Sequence, residues 1–351
     1  MDIPAEAPGT SPVSQGLAAV WEEPIGPLGV RIRERARTPA PAGFVTVSMR
    51  AAAINHLDLW LAHGAERAEP PRVICADGAG VVERGAGGWE AGQEVVVYPV
   101  VACGRCDECR AGRQVLCRGF GIVGEHTDGT ACQTLHLPPG NLRLKPPSLG
   151  WEEAAALPLT FLTAWRMLRT KARLESGQSL LVVGAGAGVA VAAIAIGRHL
   201  GARVLATSRS AAKRARAVEI GAEAAFESSG FSKAIREATG GRGVDVVFEH
   251  VGPATLEESF RSLAPGGRIV TCGSTSGPRA EIAMPRLFLR QAELLGSTMG
   301  NGGEFDAVLA AVEDGLRPVV SASYELAEVQ AALEHLDRAQ QFGKVVLRIP
   351  S

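Results

Sequence analysis

Four cysteines in a short segment give the strongest chemical signal in this chain of 351 residues. They are separated by two, two and seven residues, and Gly104 and Gly112 between them permit sharp backbone turns. Four thiolates on one loop fill every position of a tetrahedral zinc ion, which predicts a closed, structural Zn²⁺ site. An iron–sulfur cluster is the alternative use of the same ligands. The predicted metal ligands are Cys103, Cys106, Cys109 and Cys117.

A glycine-rich turn between a strand and a helix is the second signal. The apolar run 180–183 leads into it, and a helical pattern follows. Small residues let the backbone approach a pyrophosphate, and the free N–H groups of a helix N-terminus bind it. Val189 stands where the G-x-G-x-x-G fingerprint has its third glycine, and a plain strand–helix corner is the alternative. The turn residues assigned to a dinucleotide are Gly184, Gly186, Ala187, Gly188 and Val189.

The end of the next strand favours NADP(H) over NAD(H). An NAD site usually carries an acidic residue here, which accepts from the ribose 2′-hydroxyl. This chain instead has Ser208 and Arg209, with Lys213 one turn later. No acid is present to repel a 2′-phosphate, and bonds from arginine to phosphate are strong. A solvated arginine on a loop is the alternative interpretation of Arg209.

The segments around these motifs fall into two types. Residues 16–147 consist of short strand patterns separated by turns. From residue 178 onward, strands that are apolar on both faces alternate with helices, which predicts a parallel sheet covered on both sides. Between the two types, apolar residues at three- and four-residue spacing predict a helix over 151–170, kinked or split at Pro158. The predicted fold class is therefore α/β.

Composition limits the possible functions. The net charge is −1 with no basic block, which argues against nucleic-acid binding. The longest apolar run, 179–200, is broken by Gly184, Gly186 and Gly188, which argues against a membrane span. With no secretory signal and an odd cysteine count of 7, we expect a cytoplasmic protein without a disulfide framework. Residues 1–15 are expected to form a disordered leader. Ordinary buried residues are expected at Cys75, Cys132 and Cys272.

The cysteine loop followed by the glycine-rich turn resembles the medium-chain dehydrogenase/reductase superfamily. The resemblance runs from about Gly16 to the end of the chain, and within the superfamily it is strongest to quinone oxidoreductases and related enoyl reductases. Further matching segments are 53–58, 77–82, 162–165 and 342–344.

This resemblance implies two domains. A GroES-like, β-rich catalytic domain would comprise 16–160 and 301–351, with the zinc lobe at 100–118. A Rossmann domain, with a doubly wound parallel sheet, would comprise 161–300. A homodimer is also expected, because residues 293–297 resemble a strand that pairs across subunits in this family.

The departures from the zinc-dependent members concern the catalytic metal. Those enzymes hold a catalytic zinc with a cysteine, a histidine and a third cysteine or acid. The matching positions here are Asn55, Ala76 and Leu159, and none of these side chains is a good zinc ligand. Leu57 and Trp60 stand where those enzymes carry a hydroxyl residue and a histidine, so the hydroxyl relay is also absent from the pattern.

Four residues are candidate catalytic groups. Asn55 and Asp58 match the zinc-free quinone reductase pattern: Asn55 is expected to hold the nicotinamide or polarise a substrate oxygen, and Asp58 to orient its neighbours. His56 is a candidate donor to the pyrophosphate and a candidate proton source. The resemblance places Thr163 beside the nicotinamide, where a routine helical threonine is the alternative. The remaining expected cofactor contacts are Gly252, Gly273 and Lys344.

These features predict an NADPH-dependent oxidoreductase that transfers hydride to a small molecule, a quinone or a conjugated enone. Without a Lewis acid, reduction of an unactivated ketone loses several kcal/mol of stabilisation, whereas a conjugated acceptor delocalises the incoming charge itself. One alternative is an alcohol dehydrogenase with an atypical metal site around His56, His63 and Asp77. Another is a non-enzymatic NADPH-binding protein.

Overall fold

The computed structural model describes residues 15–64 and 68–351. The expected leader lies outside these ranges except for Gln15, which is the first residue of β1. The strands are β1 (Gln15–Trp21), β2 (Val30–Ala36), β3 (Val45–Ile54), β4 (Arg72–Val73), β5 (Asp77–Arg84), β6 (Glu94–Val97), β7 (Val100–Val101), β8 (Gly121–Ile122), β9 (Thr134–Leu137), β10 (Leu142–Leu144), β11 (Ser179–Val182), β12 (Arg203–Thr207), β13 (Ala224–Phe226), β14 (Val244–Glu249), β15 (Leu263–Thr271), β16 (Glu293–Gly296), β17 (Val320–Glu325) and β18 (Lys344–Arg348). The helices are α1 (His56–Ala62), α2 (Asp107–Arg110), α3 (Trp151–Ala156), α4 (Pro158–Trp165), α5 (Gly188–His199), α6 (Ala211–Glu219), α7 (Phe231–Ala238), α8 (Pro253–Ser262), α9 (Met284–Leu289), α10 (Gly302–Glu313) and α11 (Val329–Asp337).

The β-rich part of the molecule is built on a seven-stranded sheet. Its order is β10-β6-β5-β3-β18-β17, and β9 also pairs with β3. A three-stranded sheet, β2-β1-β4, lies beside it. Strand β18 returns from the end of the chain and pairs antiparallel with β3, with Val345 opposite Ile54. This pairing carries Lys344 to the end of β3, where the predicted site residues begin.

The second part is a six-stranded sheet in which every pair of neighbours is parallel. Its order is β13-β12-β11-β14-β15-β16, the arrangement of a doubly wound dinucleotide-binding sheet, and it confirms the predicted fold class. All four residues of β11 are buried, as the continuous apolar run predicted. The chain order reverses between β11 and β14, and ligands bind in the crevice that such a reversal opens.

The helical connection between the two sheets is split, as predicted. Pro158 begins α4 directly after α3, because its ring and its missing N–H interrupt a continuous helix. A π-helical turn over Arg166–Lys171 then continues α4. Arg166 forms a largely buried ion pair with Glu304 of α10, at 2.9 Å. This pair fixes α4, which carries Thr163, against the neighbouring helix.

A shared core joins the two parts. One apolar cluster extends from β3 and β5 through α3 and α4 to α5 and α10. Phe305 of α10 stacks on Tyr98 with ring centroids 5.8 Å apart, and the Tyr98 hydroxyl donates to the Gly300 carbonyl at 2.9 Å. Among the described residues, no helix is long and apolar enough to cross a membrane.

Candidate functional site

A cavity of about 240 Å³ opens between the carboxyl edge of the parallel sheet and the junction of β3 with α1. Its walls are mostly apolar, with Ile122, Leu159, Met299 and Leu336 among them. The structure brings many of the predicted residues together here: Asn55, His56, Thr163, Ala187, Gly188, Val189, Gly273 and Lys344. Trp60 also lines the cavity.

The floor of the cavity contains a buried ion pair. The Lys344 Nζ atom lies 2.9 Å from Asp77 Oδ2, and the two side chains are 4% and 0% exposed. Lys344 Nζ also donates to the Ile54 carbonyl at 2.9 Å and to Asn55 Oδ1. These three acceptors match the three ammonium hydrogens, so Lys344 is fully engaged by the protein itself. Lys344 stays a predicted cofactor contact through its aliphatic chain, which packs near Gly188.

Asn55 belongs to the same network. Its Nδ2 donates to Asp77 Oδ2 at 3.0 Å, and its Oδ1 accepts from Lys344. The side-chain amide of Asn55 therefore makes its main hydrogen bonds to other protein groups and does not direct them toward a substrate oxygen. The other carboxylate oxygen of Asp77 accepts from the Leu159 N–H at 2.7 Å. Asn55 and Leu159, two of the three positions matched to zinc ligands, thus meet Asp77, the neighbour of Ala76 in the chain, around a fixed cation.

Asp58 lies behind the cavity and orients its neighbours. Its two oxygens accept from the backbone N–H groups of Asn55, at 2.7 Å, and Cys75, at 2.8 Å. Burial raises the pKa of Asp58 to about 6, although both hydrogen bonds oppose the shift. The carboxyl group caps the first turn of α1 and fastens that turn to the Cys75 segment.

His56 and Thr163 both line the cavity. Burial, together with the charge of Lys344, lowers the pKa of His56 to about 4. His56 is therefore a neutral imidazole at pH 7, able to donate one hydrogen bond but carrying no imidazolium proton. Thr163 is buried, and its hydroxyl lies 3.9 Å from the Met299 sulfur, a weak contact that leaves it available to a ligand.

The glycine-rich turn has the geometry that a pyrophosphate needs. Gly184 and Gly186 have φ values of 77° and 130°, which side chains rarely adopt. A Cβ atom on Gly186 would lie 2.6 Å from Lys213 Cδ. Ala187 precedes α5 and offers no capping oxygen, so the first N–H groups of this 12-residue helix are left for a ligand.

The corner after β12 carries the two predicted 2′-phosphate ligands. Arg209 is exposed, and among the described residues its guanidinium has no hydrogen-bond or ion-pair partner. Lys213 lies close by: burial and the charge of Arg209 lower its pKa, and its Nζ donates to the Ala339 carbonyl at 2.6 Å. Ser208 is buried, and its carbonyl accepts from Arg214 at 2.8 Å. The corner thus combines two cations with no acid in between.

At the ends of β14 and β15, the structure differs from the sequence predictions for several residues. Cys272 is partly buried against the shared core but also lines the cavity, so it is not the ordinary buried residue that was expected; desolvation by the surrounding protein raises its pKa to about 12. Gly252 does not line the cavity, but shapes the turn after β14 with a φ of 92°. His250 was missed, although its position directly after a parallel strand was a usable signal, because such ends point into the crevice.

The four cysteines form a separate cluster, and their sulfur atoms all lie within 4.8 Å of one another. The Cys103 and Cys109 sulfurs are 3.9 Å apart, close to the edge of about 3.8 Å expected for a tetrahedron with Zn–S bonds of about 2.3 Å. Backbone N–H groups of Arg105 and Cys106 lower the pKa of Cys103 to about 6, while burial raises that of Cys109 to about 12. A bound cation would hold all four as thiolates.

Within the described part of the chain, no other group of three His, Cys, Asp or Glu residues has its ligand atoms this close together. His63, proposed with His56 and Asp77 for an atypical site, instead lies half-exposed with its Nε2 3.4 Å from Asp337. Asp77 is paired with Lys344.

The chain matches two family descriptions. Residues 41–147 match the alcohol dehydrogenase GroES-like domain, and residues 188–314 match the zinc-binding dehydrogenase domain. A crystal structure described as an NAD-dependent alcohol dehydrogenase is 39% identical, with a TM-score of 0.92, over 95% of this chain and 100% of that chain.

Two curated relatives extend the comparison. Acryloyl-coenzyme A reductase of Metallosphaera sedula is 29% identical over 91% of this chain and 96% of that protein. The spectinabilin polyketide synthase system protein NorB of Streptomyces orinoci is 34% identical over 90% of this chain, which spans only 14% of NorB. The chain belongs to the medium-chain dehydrogenase/reductase superfamily and is an oxidoreductase of that type.

The buried ion pair makes a prediction about stability. Asp77→Asn and Lys344→Met should each lower the free energy of unfolding by about 3–5 kcal/mol, because each leaves one charge buried without its partner. The double variant should lose less than the sum of the two. Urea unfolding of all three variants measures this. Glu325→Gln breaks an exposed pair with Arg348 and serves as the control, with an expected cost below about 1 kcal/mol. Single variants as stable as the control would contradict the assignment.

Proposed function

We propose that this protein is an NADPH-dependent reductase of a conjugated acceptor, a quinone or an enone, that works without a catalytic metal ion. The observation that carries the proposal is the network of Lys344, Asp77 and Asn55 at the floor of the cavity. An amide, a methyl and an isobutyl group occupy the three matched ligand positions, and an ammonium group already pairs with the nearest carboxylate. This donor set does not fit an open zinc site, which needs three ligands and a free position.

The absence of a suitable donor set favours one class of substrate. A simple ketone needs an electrophile on its oxygen, and a metal supplies several kcal/mol of that stabilisation. A conjugated acceptor spreads the incoming charge over its own π system, so orientation in a dry cleft suffices. The name of the Metallosphaera sedula relative, a reductase of an acryloyl thioester, supports a conjugated acceptor as the substrate class.

The proposed function gives different roles to the residues in and around the cavity. The turn from Gly184 to Val189 and the first N–H groups of α5 would hold the pyrophosphate, with Arg209 and Lys213 on the 2′-phosphate. When bound, NADPH supplies the hydride that reduces the acceptor. Thr163 would orient the nicotinamide, and Leu159 and Met299 exclude water from the reacting atoms. Neutral His56 can donate a hydrogen bond to the acceptor, while solvent supplies the proton.

The test of this proposal is oxidation of NADPH against a panel of quinones, enones, an enoyl-CoA thioester, simple aldehydes and ketones. We expect turnover of conjugated acceptors at rates well above those of saturated carbonyls, with about one zinc per chain by metal analysis. Turnover of simple alcohols or ketones with two zinc ions per chain would overturn the proposal in favour of an alcohol dehydrogenase. Tight NADPH binding without turnover of any acceptor would instead indicate a non-enzymatic binder.

Cofactor choice gives a second prediction. The parent protein should bind NADPH more tightly than NADH, and Arg209→Ala should weaken NADPH binding by about 1.5–3 kcal/mol, the scale of hydrogen bonds to charged groups. NADH binding should barely change, because NADH lacks the 2′-phosphate. Fluorescence titration with both cofactors measures the effect. Equal affinity of the parent protein for NADPH and NADH would reject the role given to Arg209.

The cysteine cluster gives a third prediction, that it binds a structural zinc ion. Cys106→Ser should release the metal and lower the thermal midpoint, because metal binding is coupled to the folding of such a lobe. Cys132→Ser is the control, since Cys132 lies buried outside the cluster. A Cys106→Ser variant that keeps its stability and loses only the chemical step would show a catalytic role instead.

A homodimer through β16 is also part of the proposal. This strand is an edge of the parallel sheet, and an unpaired edge offers hydrogen-bonding groups to a second chain. Exposed apolar side chains lie on and before it, at Phe288, Leu289 and Leu294. Burying them between two copies would remove apolar surface from water.

A further inference from the structure

His250 follows the last residue of β14 and is 8% exposed. The residue before it, Glu249, is fully buried and accepts from four donors: the N–H groups of Val251 and Gly252, and the hydroxyls of Thr255 and Ser259. This carboxylate fixes the strand end and the turn after it. The position of the imidazole is therefore set by a rigid backbone.

One ring nitrogen of the His250 imidazole lacks a well-formed hydrogen bond. The His250 Nε2 atom is buried and, among the described residues, makes no hydrogen bond of good geometry, although the backbone of Val183 and Gly184 lies near enough to interact with the ring. A buried polar atom without a partner costs about 1–3 kcal/mol, so such atoms call for an explanation. The atom lies beside the glycine-rich turn, where a Cβ atom on Gly184 would be 3.1 Å from it. The side chain also lines the cavity, together with Cys272 and Gly273.

The strand order of the parallel sheet indicates which part of a bound dinucleotide would lie next to His250 Nε2. Strands β11 and β14 are parallel neighbours at the point where the strand order reverses. The turn after β11 takes the pyrophosphate, and Arg209 after β12 marks the adenosine side. The nicotinamide half must then cross to the opposite side, over the ends of β14 and β15. His250 stands at the start of that half, next to the pyrophosphate turn.

The charge state of the imidazole indicates which chemical group of a ligand it can bind. Burial lowers the pKa of His250, although the charge of Glu249 and hydrogen-bonding contacts of the ring with the backbone of Val183 and Gly184 partly oppose the shift. A neutral ring has no charge to offer a phosphate. Its Nε2 can donate or accept one hydrogen bond according to the tautomer, and a hydroxyl group satisfies either.

We infer that His250 is a cofactor-binding residue whose Nε2 hydrogen-bonds a hydroxyl of the ribose on the nicotinamide side of the dinucleotide. The inference rests on the proposed function for the identity of the cofactor. It adds a contact on the nicotinamide half that is independent of the Arg209 corner. The unpartnered atom, the adjacent glycine-rich turn and the strand reversal all point to the same group.

The test compares the binding affinity of the whole cofactor, NADP⁺, with that of its adenosine half, 2′,5′-ADP. NADP⁺ and 2′,5′-ADP, which lacks the nicotinamide ribose, are titrated calorimetrically against the parent protein, His250→Leu, His250→Gln and the control His199→Leu. His199 is exposed at the far end of α5. We expect His250→Leu to weaken NADP⁺ binding about fivefold, the equivalent of one ordinary hydrogen bond, and to leave 2′,5′-ADP binding unchanged. His250→Gln, which keeps a polar group at the same reach, should recover most of the lost affinity.

Each outcome is decisive. Unchanged NADP⁺ affinity in His250→Leu would make His250 a core residue, and an equal loss for both ligands would show a collapsed site; either overturns the inference. These results need no acceptor, so they are separate from the turnover test of the proposed function. A parent protein that binds neither ligand would overturn the cofactor assignment and this inference together.

Discussion

A buried ammonium group must be surrounded by acceptors, and Lys344 meets this requirement only because three distant segments come together. The start of β18 supplies the cation, β5 supplies Asp77, and the end of β3 supplies Asn55 with the Ile54 carbonyl. Losing any partner would leave a charge uncompensated in the interior. The network therefore fixes the register at the end of the seven-stranded sheet.

Both walls of the cleft depend on this network. Asn55 begins α1, so its anchoring places His56 and Trp60 at the cavity. Asp77 accepts from the Leu159 N–H in the first turn of α4, so the same carboxylate places the helix that carries Thr163. A single buried carboxylate thus couples the β-rich part to the helix that leads into the parallel sheet. Among the described residues, the same ion pair occupies the carboxylate that lies nearest to the matched positions Asn55 and Leu159.

The parallel sheet contributes the opposite side of the cleft. Its strand order opens the crevice between β11 and β14, and the unblocked N-terminus of α5 faces into it. The mostly apolar lining of this space favours the exclusion of water, and excluding water strengthens polar contacts. In the proposed function, the cofactor and the acceptor would therefore be held by different parts of the chain that share one core.

The sequence interpretation was accurate where the decisive contacts are local. The alternation of apolar strands and helices, the break at Pro158 and the glycine-rich turn each depend on neighbours within a few residues, and the structure has them all. The interpretation of Cys272 failed because a residue at a strand end is buried or exposed according to what lies across the crevice. His250 was overlooked for the same reason.

The sequence by itself determined the fold class, the clustering of four cysteines and the glycine-rich turn, because each follows from local spacing or from the alternation of neighbouring elements. Tertiary structure alone decided the roles of the residues that meet at the cleft. Lys344 and Asp77 are 267 positions apart, and no local pattern records that they pair. Their meeting depends on the pairing of β18 with β3 and of β3 with β5, a long-range register that the whole sheet has to form first.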